Sequence, residues 1–477
     1  MPFARTPTPA ALAALRDAAP APYWLDSPDR PQPCPSLVGP ESADLAVVGA
    51  GYTGLWTALL AKQADPDREV VVLELDTAGH AASGRNGGFC SASLTHGLAN
   101  GEARFAAELP ELLRLGRRNL DQIEATVAEQ GIDCGFERTG ELDVATDPHQ
   151  VGELAEYAEL AARHGEDVEL LDADDVRARV DSPRFLGGVL DRHSTALVDP
   201  ARLAWGLRAA CLRAGVRLYE RTPVLALSTD TAGVRLRTPS GGVRAARVAL
   251  AGNAFPPLLR RIRHYVVPVY DFAVVTEPLD PGQRNEIGWA GRQGVADAGN
   301  QFHYYRLTAD RSTGEDRILF GGYDAVYHRG SGFGPQHEQR PETFALLATH
   351  LLETFPQLEG IRISHAWGGA IDTCARFSPF WGTASAGRVA YVAGFTGLGV
   401  GATRFGAAVM LDLLEHRESE LTRLDMVRSR PLPFPPEPLR GIGIDLTRWS
   451  LDRADRNGGH RNLWLRALDR LGLGFDS

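Results

Sequence analysis

The stretch Asp44-Leu-Ala-Val-Val-Gly-Ala-Gly-Tyr-Thr-Gly54 is an apolar run that opens into Gly-x-Gly-x-x-Gly and then into a helix-compatible segment. Each glycine has a separate physical task at a dinucleotide pyrophosphate site. Gly49 permits the tight turn, Gly51 lets the backbone approach the phosphates, and Gly54 allows close packing of helix on sheet. The helix that follows offers N–H groups and a positive dipole end to an anion. A second apolar run, Glu69-Val-Val-Val-Leu-Glu74, ends in a carboxylate twenty residues beyond Gly54, where an acid would accept both ribose hydroxyls. Three glycines alone are a common pattern. The strand before them, the helix after them and Glu74 at this spacing together argue against a non-nucleotide reading.

A comparable crossing recurs near the other end of the chain. Arg388-Val-Ala-Tyr-Val-Ala-Gly-Phe reads as a strand running into the glycine-rich loop Gly394-Phe-Thr-Gly-Leu-Gly-Val-Gly401 and a helix from about 402 to 415. Between the two crossings lies a long helical region to 130, with Leu109, Leu112, Leu113 and Leu120 at the spacing of a buried face. A short strand at 142–145 and a helix at 153–164 come next. A helix-and-strand layer from Val198 to Ala251 then returns to the nucleotide fold. Residues 264–325 alternate as antiparallel strands do, notably in Tyr270-Asp-Phe-Ala-Val-Val-Thr and Phe302-His-Tyr-Tyr-Arg-Leu-Thr. The class predicted is α/β: a discontinuous Rossmann-like nucleotide domain with an α+β substrate domain built on an antiparallel sheet. The nucleotide domain is expected from 43–140, 190–263 and 365–430, and the substrate domain from 141–189 and 264–364. Residues 1–42 form an N-terminal extension and 431–477 a helical tail.

Composition narrows the function classes. With 477 residues and a formal net charge of −10, the chain lacks the concentrated basic face that a nucleic-acid partner requires. No apolar run reaches membrane-span length, and the first forty residues lack the charged start and apolar stretch of a secretory signal, so a cytoplasmic protein is expected. Five widely spaced cysteines indicate neither a disulfide framework nor a metal site. Lys62 is the only lysine among 50 basic residues.

The motif order from about 23 to 430 resembles the FAD-dependent oxidoreductases of the D-amino-acid oxidase, glycine oxidase and sarcosine oxidase superfamily, most closely the gamma-glutamylputrescine oxidase-like branch. The resemblance is carried by Val47–Leu55, Ala82-Ser-Gly-Arg-Asn-Gly-Gly88, Val198-Asp-Pro-Ala-Arg-Leu203, Ala251-Gly-Asn253, Val275–Leu279, Trp367–Asp372 and Gly394–Gly399. It implies bound FAD and oxidation of a carbon–nitrogen bond in a small amine or amino-acid-like substrate, with electrons passed to O2 or another acceptor. It also implies roles for named residues. Gly49, Gly51, Thr53 and Gly54 would face the pyrophosphate, Glu74 the ribose and Val224 the adenine. Ser83, Gly84, Arg85, Asn86, Gly87 and Gly88 would run beside the ribityl chain and flavin ring. Gly252 would close the loop after the returning strand. Gly397, Gly399, Val400 and Gly401 would cover the reactive end of the flavin. Arg85 has a structural ion pair as its alternative.

On the strand expected to wall the cavity, residues 304, 306 and 308 share one face and 303, 305 and 307 the other. An inward even face offers Tyr304 and Arg306, with Arg306 positioning the substrate. An inward odd face offers His303 and Tyr305. Amino-acid oxidases of this superfamily carry a carboxylate-clamping arginine just before the hairpin turn, where Thr308 stands here. That departure favours amines or remote-carboxylate substrates over simple α-amino acids. Asp372 could attract a substrate ammonium or bond backbone N–H groups beside Gly368 and Gly369. Cys90 and Cys374 are expected to be plain buried thiols, with FAD not covalently held. Sarcosine oxidase-like members use a lysine near the flavin in the oxygen reaction; Lys62 belongs to the first helix and is badly placed for it. The competing readings are a nicotinamide-only dehydrogenase, which leaves Ser83–Gly88 and Gly397–Gly401 unexplained, and a non-catalytic flavin-binding protein.

Overall fold

A computed structural model describes residues 2–310, 312–470 and 473; Met1, Arg311 and, in the expected tail, residues 471, 472 and 474–477 lie outside the described residues. One sheet has parallel strands in the order Val389–Ala393, Gly241–Leu250, Gly39–Val48, Val70–Leu73 and Arg217–Tyr219, with Phe380–Ala384 antiparallel at one edge. The first strand begins at Gly39, earlier than its apolar run, because residues 39–43 pair with 241–245. In register, Val48 lies opposite Leu73 and Leu250, and Leu250 opposite Tyr391. The carboxyl ends of these strands therefore finish side by side and open on a common crevice, the usual ligand position in such sheets.

Helix Tyr52–Ala64 is almost entirely buried. It packs between Gly399–Leu414 and Pro200–Arg213. This enclosure explains why its sequence is apolar all round instead of striped. Its neighbour Gly399–Leu414 follows the late glycine-rich loop, so both helices start at the same crevice.

The second sheet runs in the order Val326–Tyr327, Val267–Thr276, Asp316–Gly322, His303–Ala309, Gly294–Asp297, Glu141–Ala145, Gly187–Asp191 and Val168–Leu171. Its pairings are antiparallel except for Gly294–Asp297 on Glu141–Ala145. Ile363–Thr373 also belongs here, along Val267–Thr276, which corrects the expectation that the nucleotide segment resumes at 365. The physical reason is long-range pairing: the chain returns to the nucleotide sheet only at Phe380.

Register gives this second sheet two distinct faces. Trp367, Ala273, Gly321, Tyr304, Ala296 and Asp143 lie in one row across adjacent strands and look toward the crevice. Phe272, Val274, Tyr305, Leu307 and Phe320 face the other way, into a core covered by helix Pro341–Thr354. Farther along the chain, Pro-rich residues precede helices Leu439–Arg456 and Leu463–Arg470.

Candidate active site

A continuous cavity of about 1780 Å³ runs from the first glycine loop to the second sheet. At its first end the backbone turns at Gly49, with φ +102°, and the helix opens at Tyr52. A Cβ on Gly49 would come within 2.6 Å of Ala251 O, and one on Gly54 within 1.8 Å of Gly49 O. Gly51 faces Ser83, whose Oγ accepts from Tyr52 N at 2.9 Å, and so links the first loop to the 82–88 turn. Glu74 is buried, and its two oxygens accept from Ala50 N at 2.6 Å and Asp76 N at 2.9 Å. Burial raises its carboxyl pKa, with His80 opposing that shift. Each Glu74 oxygen retains a second lone-pair direction, so the group braces the loop with capacity left to accept from a hydroxyl donor.

The residues expected at the cofactor divide into two physical sets. Gly49, Gly51, Thr53, Glu74, Ser83, Arg85, Asn86, Gly87, Val224, Gly252, Gly397, Gly399 and Val400 line the cavity. Gly54, Gly84, Gly88 and Gly401 do not, and they are corrected to packing positions. A Cβ on Gly84 would meet Gly79 O at 2.2 Å, one on Gly88 Val198 O at 2.2 Å, and one on Gly401 Ser91 O at 2.0 Å. By contrast, a Cβ on Gly252 or Gly397 would have no neighbour within 4 Å, and one on Gly399 would only touch Thr403 Cγ2 at 4.0 Å. Cavity-facing glycines bordering open space are what a bulky planar or phosphorylated cofactor needs. The donor set and the open cradle therefore fit FAD.

The 82–88 turn is held from both sides by indoles. Trp24 Nε1 donates to Asn86 O at 2.9 Å and Trp367 Nε1 to Arg85 O at 2.8 Å. Asn86 closes the turn internally, donating to Ala82 O and accepting from Gly88 N. Arg85 takes the structural alternative: its guanidinium pairs with Glu338 at 2.7 Å and donates to His80 O at 2.9 Å.

The even face of His303–Ala309 looks toward the turn, but only Tyr304 reaches the cavity. Arg306 is buried, donating to Val198 O at 2.7 Å and Gly88 O at 3.2 Å, and burial pushes its pKa down to about 10. The expectation that it positions substrate is corrected: these carbonyls draw its guanidinium behind Gly88, away from the cavity. His303 and Tyr305 are likewise corrected, because the odd face points into the core. His303 is fully buried with Nδ1 2.6 Å from Asp297 Oδ2 and Nε2 2.9 Å from His350 Nδ1. Tyr305 lies among the rings of Phe185, Trp289, Phe320 and Phe355.

Asp372 lines the cavity, and its Oδ2 accepts from Gly394 N at 2.7 Å. Burial pushes its carboxyl up to about 7, against the amides of Gly394, Phe395 and Thr396. It shapes the late loop, whose Gly394, Thr396 and Gly397 have φ of +79°, +50° and +93°. Its bonds therefore go to that loop and not beside Gly368 and Gly369. Cys90 and Cys374 are buried free thiols, and burial raises the pKa of both. Lys62 donates to Pro66 O and Arg68 O, outside the cavity.

Asp271 and His96 also line the cavity and escaped the sequence reading. Tyr304 Oη donates to Asp271 Oδ2 at 2.6 Å, a partnership that depends on the pairing of strands distant in sequence. Its one local signal was the alternation of Tyr270-Asp-Phe, which sets Asp271 opposite the buried Phe272. His96 is joined to the late loop through Thr396, and burial lowers its pKa.

A parallel sheet with two glycine-rich crossings, roofed by a second sheet across one cavity, defines a two-layered nucleotide-dependent oxidoreductase architecture. The chain belongs to the FAD dependent oxidoreductase (DAO) family, whose family pattern matches residues 44–413. It is similar to gamma-glutamylputrescine oxidoreductase of Escherichia coli K12, with 32% identity over 422 residues, 87% of this chain and 92% of that one. Probable oxidoreductase OrdL of Haemophilus influenzae is 27% identical over 404 residues, covering 82% and 87% of the respective chains. The fold is similar to the crystal structure of glycine oxidase from Geobacillus kaustophilus, with a TM-score of 0.66 and 22% identity over 82% of this chain and 99% of that one.

Proposed function

We propose that the protein binds FAD and oxidises the C–N bond of a small amine or amino-acid-like substrate. The observation that carries this reading is the single cavity joining the phosphate loop, the late glycine loop and the Tyr304 wall. FAD, when bound, supplies a hydride acceptor at N5. The chain's own residues hold and orient the reactants: Gly49–Thr53 and Glu74 at the nucleotide end, Ser83–Gly87 and Gly397–Val400 at the ring end. Loss of hydride from the carbon bearing the neutral amine nitrogen gives an iminium ion, which releases a proton to become the imine, and water hydrolyses this to a carbonyl compound and an amine or ammonia.

The arginines lining the cavity among the described residues are Arg85, Arg117, Arg440 and Arg448, none on the Tyr304 strand. With Arg306 behind Gly88, no guanidinium on that strand clamps an α-carboxylate. This supports amines or remote-carboxylate compounds as substrates, in keeping with the substrate named in the Escherichia coli relative. Electrons return to O2 with formation of H2O2, or to another acceptor. A non-oxygen acceptor is the second reading, favoured by one specific observation: Lys62, the only lysine in the sequence, lies outside the cavity.

The test is an anaerobic titration of flavin-loaded protein with amines and amino acids, followed by reoxidation with air or an artificial quinone. Bleaching by amines supports the reading. Flavin that stays oxidised with every candidate overturns it, and the reoxidation rates decide the acceptor.

A further inference from the structure

Asp271 sits on the cavity face of strand Val267–Thr276, two residues from Ala273, which shares a row with Gly321 and Tyr304. Asp271 and Tyr304 are half-buried and line the cavity, whereas Tyr270 and Phe272 beside Asp271 are buried in the core. The 2.6 Å bond from Tyr304 Oη orients the carboxylate, and no Arg, Lys or His of the described residues makes an ion pair with it. Nearby carboxylates on the cavity wall have other duties: Glu74 holds Ala50 and Asp76, and Asp372 holds Gly394. Asp143 shares Tyr304's row but lies two strands away, on the order of 10 Å. Tyr304 also touches the 82–88 turn, since a Cβ on Gly87 would lie 2.6 Å from its Cε2. The Asp271–Tyr304 pair thus stands where the two halves of the cavity meet.

We propose that Asp271 receives the substrate ammonium and removes its proton, with Tyr304 as the residue that positions the carboxylate. The inference rests on the amine-oxidising reading above. An alkyl ammonium, with a pKa of about 10, has no nitrogen lone pair to assist departure of hydride from the adjacent carbon. In the step proposed, an N–H bond of the ammonium breaks and an O–H bond forms on Asp271. The products are neutral amine and neutral carboxylic acid, and the electron pair released to nitrogen remains on the amine. The proton passes to water after turnover.

Burial pushes the Asp271 carboxyl up to about 6, matched to proton transfer near neutral pH. Against that burial, Tyr304, the Phe272 backbone amide and His303 favour its charged form, while Asp324 opposes it. Arg85, against neighbouring Gly369, is held by Glu338.

The experiment uses flavin-loaded wild type, Asp271→Asn and Tyr304→Phe. It measures the anaerobic flavin-reduction rate from pH 5 to pH 10 with the amine that best bleaches the wild type. Asp271→Asn should retain flavin and lose roughly a hundredfold or more of the rate at pH 7, the scale of general base catalysis. Its rate should then climb with pH toward the pKa of the amine, because only pre-deprotonated substrate reacts. Tyr304→Phe removes a bond that favours the carboxylate, so its acidic limb should move to higher pH. If Asp271→Asn does not fold, that movement in Tyr304→Phe decides the matter. Wild-type rates and an unshifted profile in the variants overturn the role of Asp271 alone. A wild type whose flavin no amine bleaches overturns the amine-oxidising reading as well.

Discussion

Arg306 Nη1 lies 2.7 Å from Val198 O and 3.2 Å from Gly88 O, tying the His303–Ala309 strand to the end of the 82–88 turn. Arg306→Ala should therefore act on stability. Loss of charge-assisted bonds in a buried setting should cost about 1.5–3 kcal/mol. Chemical denaturation would measure that loss, and flavin-loaded variant should keep the wild-type KM for its amine. A raised KM with unchanged stability would return Arg306 to the substrate site.

Gly54 and Gly399 should respond in opposite ways to one added methyl. Gly54→Ala forces a Cβ to within 1.8 Å of Gly49 O and should prevent stable folding. Gly399→Ala meets open space at the start of its helix, so the flavin-free protein should be as stable or gain up to about 1 kcal/mol. Its flavin affinity should fall nonetheless, because the methyl occupies the cradle. Thermal unfolding of the flavin-free proteins and fluorescence titration with FAD would separate these effects.

Asp372 predicts a pH dependence of stability. Its folded pKa, raised by burial to about 7, exceeds the unfolded value of about 4, so the folded state binds the proton more tightly. The stability contributed by the protonated form is complete below pH 4 and is lost as pH rises toward 7. Asp372→Asn should flatten that part of the stability profile, measured by urea unfolding at pH 4 to 8. An identical slope in wild type and variant would refute the assignment.

Trp24 and Trp367 donate to adjacent carbonyls of the 82–88 turn, Asn86 O and Arg85 O. Trp24→Phe and Trp367→Phe should each cost about 0.5–1.5 kcal/mol and accelerate flavin release. The double variant should show a coupled effect, since both bonds restrain one turn. Dilution into excess apo-flavoprotein scavenger would report the release rate.

Much of the nucleotide end was legible because its requirements are local. Gly49 needs positive φ, Gly51 borders the cavity, and Val70–Leu73 leads directly to Glu74. The late loop was legible for the same reason, as a strand, a glycine run and a helix in immediate succession. Yet Gly54, Gly84, Gly88 and Gly401 look like their cavity-lining neighbours in sequence. What separates them is a backbone carbonyl within 2.2 Å of each missing Cβ, supplied by Gly49, Gly79, Val198 and Ser91 respectively, on a side turned from the cavity.

The sequence by itself determined the α/β crossings, the glycine-rich turns and the period-two alternation that limits Tyr304 and Arg306 to one face and His303 and Tyr305 to the other. Tertiary structure alone decided which face meets the cavity, and it separated Tyr304 from Arg306 on that face. It also joined Asp271 to Tyr304 and moved Ile363–Thr373 into the second sheet. The physical reason is that strand register and side-chain partnership are non-local: alternation restricts where a side chain points, while a distant carbonyl, carboxylate or helix determines what it meets there.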